Sequence, residues 1–512
     1  MSGIVDEVVE RFELSPELVS VMTASKSAVV LGLDIGTSGV RAALFDERGR
    51  EIPGASARTH RVYTGLRHFS EFDADALVES VADTIDLLMA QPFLSTDQIE
   101  LISISCFWHS LLGVDEENCA TTPVFDWSET RAAQAATELR ARFEETQTHA
   151  RTGCRFHPCY WPAKLVWLRK EQPEVFRSTS RWISFSEYLM LKLCGATTIS
   201  VSMASGTGLM NQRTCEWDLP LLKELDLSTA RLPQIARDIV TRLRLTGDFA
   251  TRWPQLSGAL FCLAIADGAA NNIGSGCTTR DKLALMIGTS GAARVLFDGE
   301  PPTEIPPELW CYRADRSRVV IGGALSDGGG LYWGLQRLLF PNETAEMIEQ
   351  SLETLEPDSH GLTILPFWAG ERSPGWALSA TGGVFGLTVH TKPIEILRAT
   401  MEAIAYRFAL IIKALEPLGP LTSIIATGNA LQASRVWPPI IADVLGRPIM
   451  LCEEREASTR GAALLALEAA GKIPSIDEVR NDVEETFVPE VSRYSRYQQG
   501  LERQQKLYSR LI

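Results

Sequence analysis

Asp267 stands between an apolar run, Leu260 to Ala266, and a glycine-rich turn in LAIADGAANNIGSGC. A carboxylate delivered in this way can take the proton of an attacking hydroxyl, the work of a general base. It can equally cap the helix that follows. Asp34 precedes glycines and hydroxyls in GLDIGTSG, residues 32–39. The core of that stretch, IGTSG, returns unchanged at residues 287–291, an offset of 287 − 35 = 252, with Met286 in the place of Asp34. Glycine lets backbone N–H groups approach a ligand closely, and Thr37, Ser38, Thr289 and Ser290 add hydroxyls. Such a turn is a nest for an anion, suited to phosphate. One copy reads equally as a plain hairpin turn. Two copies, led by Gly36 and Gly288, point to a pair of nests holding one polyphosphate. Asp34 then offers Mg2+ and its waters an oxygen partner, and Met286 avoids a second, repulsive carboxylate. No G-x-x-x-x-G-K-[ST] stretch occurs, which excludes a P-loop.

The elements that carry these residues follow from local pattern. Val29 to Leu33 and Val40 to Phe45 are apolar runs around the first turn, closed by Asp46-Glu-Arg-Gly49. Leu283 to Ile287 and Ala292 to Phe297 flank the second. Both read as strand, glycine turn, strand. Ile396, Thr400, Ile404, Phe408 and Ile411 share one face of a helix. Tyr494, Tyr497, Leu501, Tyr508 and Leu511 recur at helical spacing near the C-terminus.

The chain has 512 residues, enough for two large domains. Its net charge of −15 argues against a non-specific grip on nucleic acid or an anionic membrane. Ten cysteines are scattered without a C-x-x-C pair, which suits reduced thiols in a cytoplasmic protein. Cys154, His157 and Cys159 lack two further ligands at zinc spacing. No run approaches a membrane span. The acidic first 27 residues lack the apolar stretch of a signal peptide and are expected to form a short helical extension.

The duplicated nest resembles the actin-like ATPase superfamily. Within it, GGVFGLTVHTKPIEILRATME at 382–402, PFWAGERSP at 366–374 and ATGNALQASRVWPPIIADVLGRPI at 426–449 resemble the FGGY carbohydrate kinase family. Lys164, Trp167 and Leu168 also agree with that family, whereas Cys159 and the Gly428-Asn429 pair depart from its usual residues. The resemblance implies an α/β protein with two ribonuclease H-like domains around a nucleotide cleft, using ATP and Mg2+. It implies Asp267 as base, Arg41 on the phosphates, Gly328 near the ribose, and Gly428 and Asn429 near the adenosine. It places acceptor contacts on first-domain loops, with Trp108, His109 and His157 foremost. The stretches HSLLGVD, His157-Pro158 and MASGTGL look most like the gluconokinase branch. A gluconate carboxylate would suit Arg131, Arg155, His157 or Lys164, and Trp108, Trp127 and Trp161 could wall a sugar or fill the core. Two alternatives stand beside gluconate: a ketose or polyol acceptor, and a non-catalytic actin-like ATP-binding protein. The expected domains are 28–275 and 280–475, closed by a C-terminal helix within 476–512. Family resemblance suggests a homodimer.

Overall fold

The computed structural model describes residues 30–60, 71–91, 99–479 and 483–512. The expected N-terminal extension lies outside the described residues. The first sheet is built on β1 (Val30–Ile35), β2 (Gly39–Phe45), β3 (Glu51–His60) and β4 (Leu101–Cys106), with short strands β5 (Leu260–Phe261) and β6 (Ile265–Ala266) on the free side of β4. β1 pairs antiparallel with β2 and parallel with β4. All six of its residues are buried, so its sequence shows no alternation and reads as a central strand.

The second sheet repeats this plan. β7 (Lys282–Ile287) pairs antiparallel with β8 (Gly291–Asp298) and parallel with β11 (Ser423–Thr427). Its full order is β9 (Trp310–Arg313), β10 (Arg318–Leu325), β8, β7, β11, β12 (Ile449–Cys452), β13 (Val483–Phe487). The repeated pentapeptide therefore marks a repeated fold. The two copies nevertheless close differently. The Gly36 amide donates to Gly39 O, three residues on, whereas the Gly288 amide donates to Ser290 O, two residues on. The second loop also receives the amides of Gly329 and Gly330, at the start of a helix, on the carbonyls of Gly288 and Thr289. Among the described residues, no helix start donates its backbone amides to the first loop in this way.

Seven helices matter for the site: α1 (Ala74–Met89), α2 (Trp161–Glu171), α3 (Asp267–Gly274), α4 (Gly329–Leu339), α5 (Pro393–Leu415), α6 (Ala457–Ala469) and α7 (Val491–Leu511). α5 buries Thr400, Ile404, Phe408 and Ile411 against the second sheet, while Ile396 is half-buried. One helix crosses between the two expected domains. α6 lies within the segment assigned to the second domain, yet it packs on β1, β4 and α3 of the first. Ala462, Leu464 and Leu465 join the first sheet's core, and Ala463, Ala466 and Leu467 pack with Val30, Phe45 and Leu101. α3 and α6 cross closely at two glycines. A side-chain carbon at Gly274 would lie 1.8 Å from Ala457 O, and one at Gly461 would lie 1.8 Å from Ala270 O. The expected helical tail also begins with β13, an exposed edge strand whose backbone pairing with β12 leaves no apolar period to read. α7 follows and packs against α5.

Candidate active site

The two glycine loops face one another across a cleft of about 360 Å³. Asp34, Gly36, Thr37, Ser38 and Arg41 line it from the first domain, and Gly288, Thr289, Ser290, Gly428 and Asn429 from the second. Sheet register sets the Asp34 environment. Arg41 on β2 and Ser105 on β4 are its direct cross-strand partners. Arg41 Nη1 donates to Asp34 Oδ2 at 2.7 Å, and Ser105 Oγ donates to Oδ1 at 2.7 Å. Arg41 also lies 3.1 Å from Glu456 at the head of α6. A carboxylate offers about four acceptor positions, so Asp34 keeps room for a metal-bound water. This oxygen-rich, hydroxyl-lined cleft fits Mg2+ with a polyphosphate.

One end of the cleft rests on three glycine and asparagine positions. Gly428 has φ +99°, and a side-chain carbon there would lie 2.4 Å from Ile287 O, so only glycine fits. Asn429 opens a short right-handed helix, Asn429–Gln432, instead of adopting a left-handed conformation. Gly328 caps α4 and presses against Ser290, since a side-chain carbon would stand 2.6 Å from its carbonyl. Trp333 on α4 lines the same cavity and adds an aromatic face.

Asp267 is the first residue of α3, brought there by β6. Two serines fix that strand: Ser200 Oγ donates to Ala264 O at 2.5 Å, and Ser202 Oγ accepts from the Ala266 amide at 3.1 Å. The Asp267 carboxylate accepts from the Gly268 amide at 2.7 Å. Loss of solvent pushes its pKa up to about 6, helped by the nearby Asp34 and opposed by Arg294. Asp267 lines both the two-loop cleft and a second, smaller cavity of about 60 Å³.

That smaller cavity is walled by Trp108, His109, Trp127, Arg294, Trp310, Tyr312 and Arg372. Trp108 Nε1 donates to Ser202 O at 3.0 Å, so one serine orients both this ring and the Asp267 strand. His109 has φ +69°, a conformation unusual for a non-glycine residue. Lys164 Nζ on α2 clamps its carbonyl at 2.7 Å and also donates to the Asp126 and Phe125 carbonyls. His109 Nδ1 lies 2.6 Å from Gly206 O, and a carbonyl only accepts. Burial holds the ring's pKa well below its ordinary value. The neutral ring therefore donates from Nδ1 and keeps Nε2 as an acceptor for a hydroxyl.

The other expected acceptor contacts lie outside this wall. His157 Nδ1 accepts from the Cys159 amide at 3.2 Å, and its Nε2 lies 3.0 Å from Glu371 O, so both ring nitrogens are taken. Arg131 is paired with Glu71 and Glu129. Arg155 is paired with Glu145 at 2.5 Å. Lys164 is spent on three carbonyls. Trp161 is fully buried and donates to Ser110 O, a core role, whereas Trp127 borders both cavities. Sequence reasoning missed Arg294 and Arg372. Arg294 interrupts the apolar run of β8, and an arginine in a buried strand requires a partner. That was its signal. Arg372 sits inside the Gly-Glu-Arg segment that had served only to indicate the family.

Residues 29–270 match the FGGY family of carbohydrate kinases, N-terminal domain, and residues 283–470 match its C-terminal domain. The chain is 28% identical over 473 residues to the gluconokinase of Bacillus subtilis (strain 168), covering 90% of this chain and 91% of that one. Ligand-bound xylulose kinase from Lactobacillus acidophilus superposes with a TM-score of 0.84 at 28% identity, over 94% of this chain and 98% of that one. Gluconate kinase from the same organism gives 0.83 at 27%, with the same coverage. The duplicated sheets and the cleft between them are consistent with the actin-like ATPase fold. Matched in both domains and along nearly its whole length, the chain belongs to the FGGY family of carbohydrate kinases, phosphotransferases with an alcohol acceptor.

Proposed function

We propose that this protein transfers the γ-phosphate of ATP to the terminal hydroxyl of a sugar acid, with gluconate the first candidate. One observation carries the reading. Asp267 borders both the two-loop cleft and the arginine-lined cavity, so one carboxylate faces a phosphate donor site and an acceptor site together. In the proposed reaction Asp267 takes the proton from the acceptor hydroxyl, and that oxygen attacks the γ-phosphorus in line with the departing ADP. The paired loops and Arg41 hold the phosphate oxygens. Mg2+, held at Asp34 through water, would neutralise charge that builds on the phosphates. His109 Nε2 accepts from an acceptor hydroxyl and orients the chain. Cytoplasmic soluble substrates and a homodimeric assembly belong to the same proposal.

The acceptor class rests on two supports. Gluconokinases are among the similar proteins, and the acceptor cavity carries two guanidinium groups. Xylulose kinase similarity favours a neutral ketose as the second reading. ADP release with Mg-ATP, measured against gluconate, other sugar acids, xylulose, ribulose and glycerol, separates them. Gluconate is expected to give the highest kcat/KM, and Asp267→Asn is expected to lose at least about 100-fold in kcat. A neutral ketose that outperforms every sugar acid would replace the acceptor assignment. Full turnover by Asp267→Asn would remove the base assignment.

A further inference from the structure

Arg372 is buried, and its charge has no ion-pair partner among the described residues. Its Nη2 donates to Leu325 O at 2.8 Å, and its guanidinium lies 4.5 Å from the Trp127 ring centre. Its Nε is buried without a hydrogen-bond partner. Arg294 in the same cavity shares the buried, unpartnered Nε but is otherwise differently placed. It donates to Asn271 Oδ1 at 3.1 Å, and Asp267 feels its charge. Arg372 instead acts on His109, His157 and Asp327. Asp327 feels the Arg372 charge, burial pushes its carboxyl up to about 7, and among the described residues the two form no ion pair.

The loop around Arg372 is held from several directions. Glu371 pairs with Arg407 on α5 and accepts from Tyr508 Oη on α7 at 2.6 Å. Its carbonyl meets His157 Nε2, and the Ser373 amide donates to Ala324 O at 3.0 Å. So rigid a mounting for an unpaired cation is a large desolvation penalty unless an anion completes it. A planar guanidinium that lines the cavity beside Asp267 matches a carboxylate.

Resting on the sugar-acid reading above, we propose that Arg372, stacked on Trp127, binds the acceptor's carboxylate and selects sugar acids over neutral sugars. Arg294 is then a positioning residue that sets the charge around Asp267, and Arg372 is the specificity-determining contact.

The test compares gluconate with glucitol, which has the same carbon chain but a neutral end group. Wild type and Arg372→Met are assayed on both, with Arg372→Lys as a second variant. Arg372→Met is expected to lose roughly 100-fold in kcat/KM on gluconate, the usual loss for truncating a buried charge pair. Activity on glucitol falls much less, so the gluconate-to-glucitol ratio of kcat/KM drops at least about tenfold, and Arg372→Lys falls between. Equal losses on both acceptors would overturn the proposal and leave the sugar-acid reading in place. A wild type inactive on every sugar acid would overturn that reading, and this proposal with it. Should the Met variant prove insoluble, the Lys variant decides by the same gluconate-to-glucitol ratio.

Discussion

At the residue scale, the chemistry turns on how Asp267 is kept available as a base. Burial and Asp34 favour its protonated form, and Arg294 favours its ionised form, leaving a carboxyl near 6. A raised carboxyl is protonated, and unable to accept a proton, below that value. In the proposed mechanism kcat/KM for the acceptor therefore falls as pH drops through about 6 and levels off above it. Arg294→Leu removes a charge that opposes the rise, so the acid limb is expected to move to higher pH. An unmoved limb with a merely lower plateau would mean that Arg294 acts through packing. Asp34 and Asp267 were legible in the sequence because each sits at a strand end beside a glycine turn. The cations that line the smaller cavity, Arg294 and Arg372, were not. Arg131, Arg155 and Lys164 have the right chemistry, but Glu71, Glu129, Glu145 and three carbonyls already claim them. Residue type reveals what a side chain can do, and only packing reveals whether it is still unengaged.

At the element scale, a short turn must serve both the fold and the ligand. Gly428 holds φ +99° beside Ile287 O because β11 and β7 run parallel into the same cleft edge. A Gly428→Ala side chain has to displace that carbonyl and adopt a backbone region essentially reserved for glycine. The strain is of order 1–3 kcal/mol. If the adenosine end lies there, KM for ATP is expected to rise roughly tenfold or more, with acceptor KM nearly unchanged. Steady-state kinetics with each substrate varied in turn checks this. A rise in acceptor KM alone would relocate the nucleotide. Hairpins, the glycine turn and the long helix α5 could be read from pattern, because each is fixed by near neighbours in sequence. The different closures of two identical IGTSG loops could not, because α4 docks on only one of them.

At the scale of the whole molecule, the cleft exists because two copies of one sheet plan face each other with different residues at matching places. The duplication was readable from the repeated pentapeptide. The ownership of α6 was not, since no local pattern states which sheet a helix will cover. α6 belongs to the first core although almost two hundred residues of second-domain chain precede it. A fragment covering 30–275 is therefore expected to remain aggregated or loosely packed, with Val30, Phe45 and Leu101 uncovered. Adding a peptide spanning 457–469 is expected to improve its solubility and sharpen its melting transition. A well-folded 30–275 fragment would show that α6 is dispensable to that core.

The same helix has a consequence for how the protein is born. A chain leaves the ribosome in order, N-terminus first. Here the first sheet emerges early but waits for its covering helix until nearly the whole chain has been made. During that interval its apolar face stays open to solvent, and a nascent-chain chaperone that masks apolar strands would have its longest contact there. Premature termination anywhere before α6 should thus leave a product prone to proteolysis, even though most of both domains has been synthesised.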